Sequence, residues 1–249
     1  MKRSTVIRLM QFNKAFYKAV AKDFSDSRNY EWEGWNLAWN SVAGWRNGLQ
    51  IEAVLDIGCG NGRFVDFLRR KRFQGRYLGL DSSRELLEIA QNVRADFQAN
   101  FRFFDLYSLI GSKVRLDRIV GEEKYDLILL SGVMHHIPGF ANRLQLLNRL
   151  SQYLSPEGCI VVSYWQFMKS SRFSKKIVRL EDTPLASLKE DLEEGDHILT
   201  WNRGVRGLRY CHDFSDEEIE KINSQTPVRV VEQFGSDGGL NKYVVYSGA

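Results

Sequence analysis

Cysteine is scarce in this chain. Cys59, Cys159 and Cys211 are odd in number, far apart and form no CxxC pair. A disulfide scaffold is excluded, no zinc set is offered, and a reducing, cytoplasmic setting without a bound metal is expected. Proline occurs only four times, against 43% hydrophobic and 27% charged residues, which excludes a disordered or Pro-rich chain. No apolar run approaches the roughly 20 residues of a membrane span. The first apolar residues are interrupted by Arg8, Gln11, Asn13 and Lys14, so a secretory leader is not expected either. Repeats and low-complexity tracts are absent.

The 249 residues fit one large domain, or a core with additions. Helical spacing over 6–24 and 34–46 predicts two N-terminal helices. Strand-like runs at 52–57, 76–81, 100–105, 125–131 and 158–165 then alternate with helical patterns at 63–72, 83–93 and 141–154. That alternation predicts βαβ units and a parallel sheet covered on both faces. A polar segment runs to about 197, a short helix follows near 215–223, and runs at 227–234 and 241–247 predict a closing antiparallel hairpin. The fold class expected is therefore α/β: a Rossmann-like, seven-stranded, mostly parallel sheet. Residues 1–48 are expected to form a helical lid over a domain spanning 49–249, with 166–226 as a substrate-recognition insertion.

The most informative segment is Val54-Leu-Asp-Ile-Gly-Cys-Gly-Asn-Gly62. A buried strand ends in Asp56, and Gly58, Gly60 and Gly62 follow, as a tight turn that a ligand can touch requires. Asp81, with Ser82 beside it, ends the next strand and can accept hydrogen bonds from both hydroxyls of a ribose. Asp105 could hold an adenine amino group, with Leu106 donating its backbone N–H. Arg63 stands where a dinucleotide fingerprint would have its third glycine, which argues against NAD or FAD. A glycine turn without a pyrophosphate clamp suits S-adenosyl-L-methionine, and Arg63 could face its carboxylate.

The order Asp56-x-Gly-x-Gly-x-Gly62, Asp81, Asp105, Tyr125-Asp-Leu-Ile-Leu-Leu-Ser131 and a closing hairpin resembles the class I S-adenosylmethionine-dependent methyltransferases over roughly 50–165 and 227–247. Asp126 reads as a residue at a strand start. Val133-Met-His-His136, Val162-Ser-Tyr-Trp165, Gly195-Asp-His-Ile-Leu-Thr-Trp201 and Arg209-Tyr-Cys-His-Asp-Phe214 are similar to the wobble-uridine tRNA methyltransferases, as is Asp26-Ser-Arg28 followed by Trp32 or Trp35. The chain departs from that family at Cys211, where tyrosine is usual, and over 166–190. The resemblance implies esterification of the carboxylate of 5-carboxymethyluridine in tRNA. It also implies a small zinc-binding activator protein as a possible partner. Such an acceptor needs no general base, because a carboxylate is already ionised at pH 7.

Tyr210 and His212 are the preferred carboxylate holders. Arg209, on the opposite side of a strand from them, is a candidate phosphate contact. His135 is the further catalytic candidate; one of His135 and His136 is expected to face the donor. Arg28, Trp165 and Trp201 are expected to bind the acceptor, the tryptophans by stacking on a base. The net charge is only +4, so the clusters 69–72, 169–179 and 203–209 matter more, either as solvated faces or as a surface for phosphates. A small-molecule methyltransferase of the same fold, or a donor-binding partner subunit without catalysis, are the alternatives.

Overall fold

The computed structural model describes residues 1–28, 30–109 and 116–248. Its main sheet has seven strands in the order β3-β2-β1-β4-β5-β10-β9. These are β1 (Ala53–Ile57), β2 (Arg76–Asp81), β3 (Gln98–Phe103), β4 (Tyr125–Leu130), β5 (Leu154–Trp165), β9 (Arg229–Ser236) and β10 (Asn241–Ser247). All neighbours pair in parallel except β10, which is antiparallel to both β5 and β9. β1 and β4 are buried along their whole length, which is why both read as continuous apolar runs. Asp126 opens β4 as expected: its carboxylate accepts from the backbone of Glu52 and Ala53 and from Ser155, and pairs with Arg46.

The sheet is covered on both faces. One core joins Leu55, Ile128 and Ile160 to α6 (Phe140–Ser151) and α8 (Asp216–Gln225); the other joins Val54, Leu127 and Val161 to α2 (Glu33–Trp45) and α3 (Phe64–Arg70). The remaining helices are α1 (Arg3–Asp26), α4 (Arg84–Ala90) and the single turns α5 (Asp117–Val120) and α7 (Ser171–Ser174). The first 48 residues do not form one layer. α1 lies across the carboxyl ends of the strands, whereas α2 is part of the packed sandwich.

The segment 166–226 also divides. Ile219 and Ile222 place α8 in the main core. Before it stands a second, three-stranded antiparallel sheet of β6 (Ile177–Val178), β7 (Asp196–Arg203) and β8 (Val205–His212). The β7–β8 hairpin was not among the predicted elements. Its turn is closed by Gly204 at φ +72°, beneath the Asp23 carboxylate of α1, where a Cβ would collide.

Candidate active site

After β1 the chain turns back so that the backbone N–H groups of Gly58 and Cys59 donate to the Leu80 carbonyl, at 2.7 and 3.1 Å. This places the glycine turn at the carboxyl ends of β1 and β2, beside the point where the strand order reverses between β1 and β4. A cavity of about 390 Å³ opens there, and Asp56, Gly58, Gly60, Asp81, Ser82, Leu106 and Ser131 all line it. Gly60, at φ +56°, has no atom within 4 Å of where a Cβ would stand, so its backbone is open to a ligand. Its N–H donates to one oxygen of Asp81 at 2.9 Å, and Ser83 N–H donates to the other at 2.8 Å. An ionised carboxylate has about four acceptor sites, so Asp81 keeps capacity for two ribose hydroxyls. Asp56 is buried with the Tyr77 hydroxyl donating to it at 2.8 Å, and desolvation pushes its pKa up to about 7.

Two expected cofactor residues are placed elsewhere. Gly62 does not line the cavity; at φ +78° it lets Ala90 and Phe101 approach to 3.1 Å of a notional Cβ, so it serves packing. Asp105 is likewise absent from the lining, because its carboxylate is ion-paired to Lys14 of α1. Leu106 alone of that pair faces the cavity. Arg63 is in the wall, stacked on Trp32 and Trp35 at 4.7 and 5.0 Å.

A second pocket, of about 370 Å³, shares Tyr17, Phe24, Arg28, Trp32 and Gly132 with the first, so the two meet at that ring of residues. Trp165 and Trp201 form its walls, and Arg209 projects between them and Phe16, 5.3–5.8 Å from each ring. Arg209 is buried, and no carboxylate among the described residues pairs with it or with Arg28. Burial and the charges of Arg209 and Arg63 push the Arg28 pKa down to about 10. A guanidinium buried among aromatic rings with no acid partner, as Arg209 is among the described residues, is costly unless an anion arrives.

The histidine pair sits at the junction. His136 lines the donor cavity, 2.6 Å from the Tyr17 hydroxyl, while His135 lines the second pocket against Trp165. Burial holds His136 neutral, with a pKa near 3, and burial likewise lowers that of His135. His135, His136 and Cys211 lie within 4.8 Å of one another, but Arg209 and Arg28 beside them disfavour a cation.

Tyr210 and His212 are not in either pocket, which corrects their expected role. Both are fully buried on the far side of β8. The Tyr210 hydroxyl donates to Asp196 at 2.7 Å, and the His212 ring bridges Asp196 and Glu218 at 2.7 Å each. Arg143 completes this network on Glu193 and Glu218. Arg209, a catalytic candidate and a possible phosphate contact, is the one of the three that lines the second pocket. Sequence reasoning missed Tyr17 and Phe24, which α1 brings over both cavities, and Asn13, which lines the first; the only signal for the two rings was an aromatic stripe on a helix.

Residues 55–160 match the family model of the methyltransferase domain. Over 193 residues the chain is 24% identical to a human protein described as probable tRNA methyltransferase 9B, covering 76% of this chain and 33% of that one. Over 141 residues it is 28% identical to trans-aconitate 2-methyltransferase of Pseudomonas paraeruginosa, covering 55% and 46%. The chain thus spans between a third and a half of the length of these two relatives. The crystal structure of an S-adenosylmethionine-dependent methyltransferase from Clostridium acetobutylicum superposes with a TM-score of 0.61 at 13% identity, covering 96% of this chain and all of that one.

Proposed function

From the premise that the chain carries a class I methyltransferase fold whose cofactor is S-adenosylmethionine, we propose that it esterifies the carboxylate of 5-carboxymethyluridine at the tRNA wobble position. The observation that carries this reading is Arg209 between Trp165 and Trp201, with Arg28 over Phe24 in the same pocket, neither paired to an acid among the described residues, where the pocket opens onto the donor cavity.

The residues divide the work. Asp81 would take the ribose hydroxyls, Gly60 keeps the backbone clear, Gly58 makes room for Val133, and Arg63 would face the donor's carboxylate. Bound there, S-adenosylmethionine supplies a methyl group on a cationic sulfur. Arg209 and Arg28 would orient the acceptor anion, and the tryptophans would hold the base flat and exclude water. His135 and His136, held neutral, accept no role as proton carriers, and an ionised acceptor needs none. One C–O bond forms as the S–CH₃ bond breaks, and no proton moves.

Similarity to the trans-aconitate enzyme favours a second reading, in which the acceptor is a small free carboxylate. Incubation with tritiated donor separates the two. Label entering RNA that carries 5-carboxymethyluridine, released by mild alkali as an ester, supports the tRNA reading. Label entering only small carboxylates supports the second, and no transfer to either defeats both. Activity of the isolated chain would show that no zinc-binding activator is required.

A further inference from the structure

We infer that the mouth of the acceptor pocket is a phosphate subsite, in which Arg172, Lys176 and Arg203 receive a phosphate that the acceptor carries beside its reacting carboxylate. The inference rests on the proposed reading for what lies deeper in the pocket, at Arg28 and Arg209.

All three cations line that pocket, and none has an acid partner among the described residues. Other exposed cations nearby do have partners: Lys169 pairs with Asp216 and Arg179 with Asp182, both at 2.9 Å. The acids in the wall are engaged elsewhere. Glu31 is taken by Arg70 and Asn36. Asp237 accepts from Gly34, Asn241 and Tyr243, and Glu33 sits in the first turn of α2, where the helix dipole favours it. Arg28, Arg172, Lys176, Arg203 and Arg209 therefore outnumber the acids of the wall, and the pocket carries an excess of positive charge.

These cations are also held in place. The Lys176 carbonyl accepts from Thr200 N–H at 2.9 Å, and Ile177 pairs with Leu199 in the small sheet. The Phe173 ring carries Arg172 at 4.5 Å and Lys176 at 5.2 Å, and stands edge-on to Trp165 at 5.0 Å. The same aromatic wall that backs the pocket thus anchors its charged rim. The mutual repulsion has a visible effect: after burial, the charges of Arg172, Arg203 and Arg209 lower the Lys176 pKa. One carboxylate at Arg28 and Arg209 leaves the rim unmatched, whereas a phosphate offers several charged oxygens to a fork of this kind.

The test is a titration of tryptophan fluorescence, since Trp165 and Trp201 report on the pocket. The probes are uridine, uridine 3′,5′-bisphosphate and inorganic phosphate. The bisphosphate should bind roughly tenfold tighter than uridine. K176Q and R203Q should each close most of that gap and lower the salt slope by about 1. Equal binding of uridine and bisphosphate, or variants that behave as the wild type, overturns the subsite. Inorganic phosphate that displaces the bisphosphate at similar concentration assigns the rim to a free anion and overturns the acceptor's part in it. Because the probes carry no carboxylate, the result is independent of whether methyl transfer to 5-carboxymethyluridine succeeds.

Discussion

Arg209 shows how one side chain can matter through what it lacks. It is buried, it contacts three aromatic rings and it has no acid partner among the described residues. Arg209→Gln is expected to cost about 2–5 kcal/mol in acceptor binding. Steady-state kinetics should show this mainly as a raised KM for the acceptor, with donor affinity retained. Arg209→Lys should recover only part, because a point charge does not reproduce the planar fork.

His212, one residue pair further along β8, has a different role. Burial alone would lower its pKa, but the hydrogen bonds to Asp196 and Glu218 outweigh burial and raise it. A histidine with a raised folded pKa contributes stability that is fully present below its unfolded value, near 6.5, and is lost as pH rises through the folded value. The melting temperature should therefore fall on the alkaline side of about pH 6.5, and His212→Gln should flatten that dependence. A midpoint that rises from pH 6 to 8 in the wild type would contradict this.

The opposite behaviour of Arg209 and His212 explains how much of the site was legible. Strand periodicity predicted that they point to opposite sides of β8, and they do. It could not say which side meets the ligand, because both sides are buried: one under α1 and the tryptophans, the other against α6 and α8. Asp105 was misread for a similar reason. Its partner, Lys14, is 91 residues away, and no local pattern announces it.

Among the elements, α1 has the most to do. Asn13 Nδ2 donates to the Tyr210 carbonyl at 3.0 Å while its Oδ1 accepts from Tyr210 N–H at 2.8 Å, so one side-chain amide pairs with the edge of β8 as another strand would. Thr5 on Asp191 and Arg8 on Ser187 fasten the same helix further along. Asn13→Ala would leave the buried Tyr210 N–H unpaired, at about 1–3 kcal/mol, and its carbonyl with only the His136 ring, 3.2 Å away. Hydrogen exchange should quicken in α1 and β8, and donor affinity should weaken, because α1 covers that cavity. Exchange that quickens throughout the sheet instead would mean that α1 does not move as a separate unit.

In the main sheet β1 and β4 were legible because both are buried along their whole length and lead on to α3 and α6. The β7–β8 hairpin was not. Its sequence, Asp196-His-Ile-Leu-Thr-Trp-Asn-Arg203, carries buried apolar residues on both sides, Ile198 against Leu9 and Tyr210, Leu199 against Trp165 and Phe167, and Trp201 against Phe16, which removes the alternation that marks a half-exposed strand.

At the scale of the molecule, the net charge of +4 is less informative than where free cations remain. The run 69–72 reads as a phosphate surface, but Arg69 is taken by Asp66 and Asp96, and Arg70 by Glu31. Three cations at the pocket rim stay available. Binding of tRNA should therefore weaken with salt at a log–log slope of about −2 to −3. Substituting Arg69 or Arg70 should leave that slope unchanged, as read by filter binding over a salt series. A flat dependence would remove tRNA from consideration.

The arginines without acid partners among the described residues also bear on turnover. In the proposed reaction, esterification would convert an anion into a neutral group and so erase the feature for which Arg28 and Arg209 would select. The methylated product loses its hold where the substrate gained it, and uridine without a carboxymethyl group never acquires one. A single pair of arginines would thus reject the unmodified nucleoside before the reaction and discharge the finished one after it. The cell would need no separate device to keep methylated tRNA from occupying the enzyme.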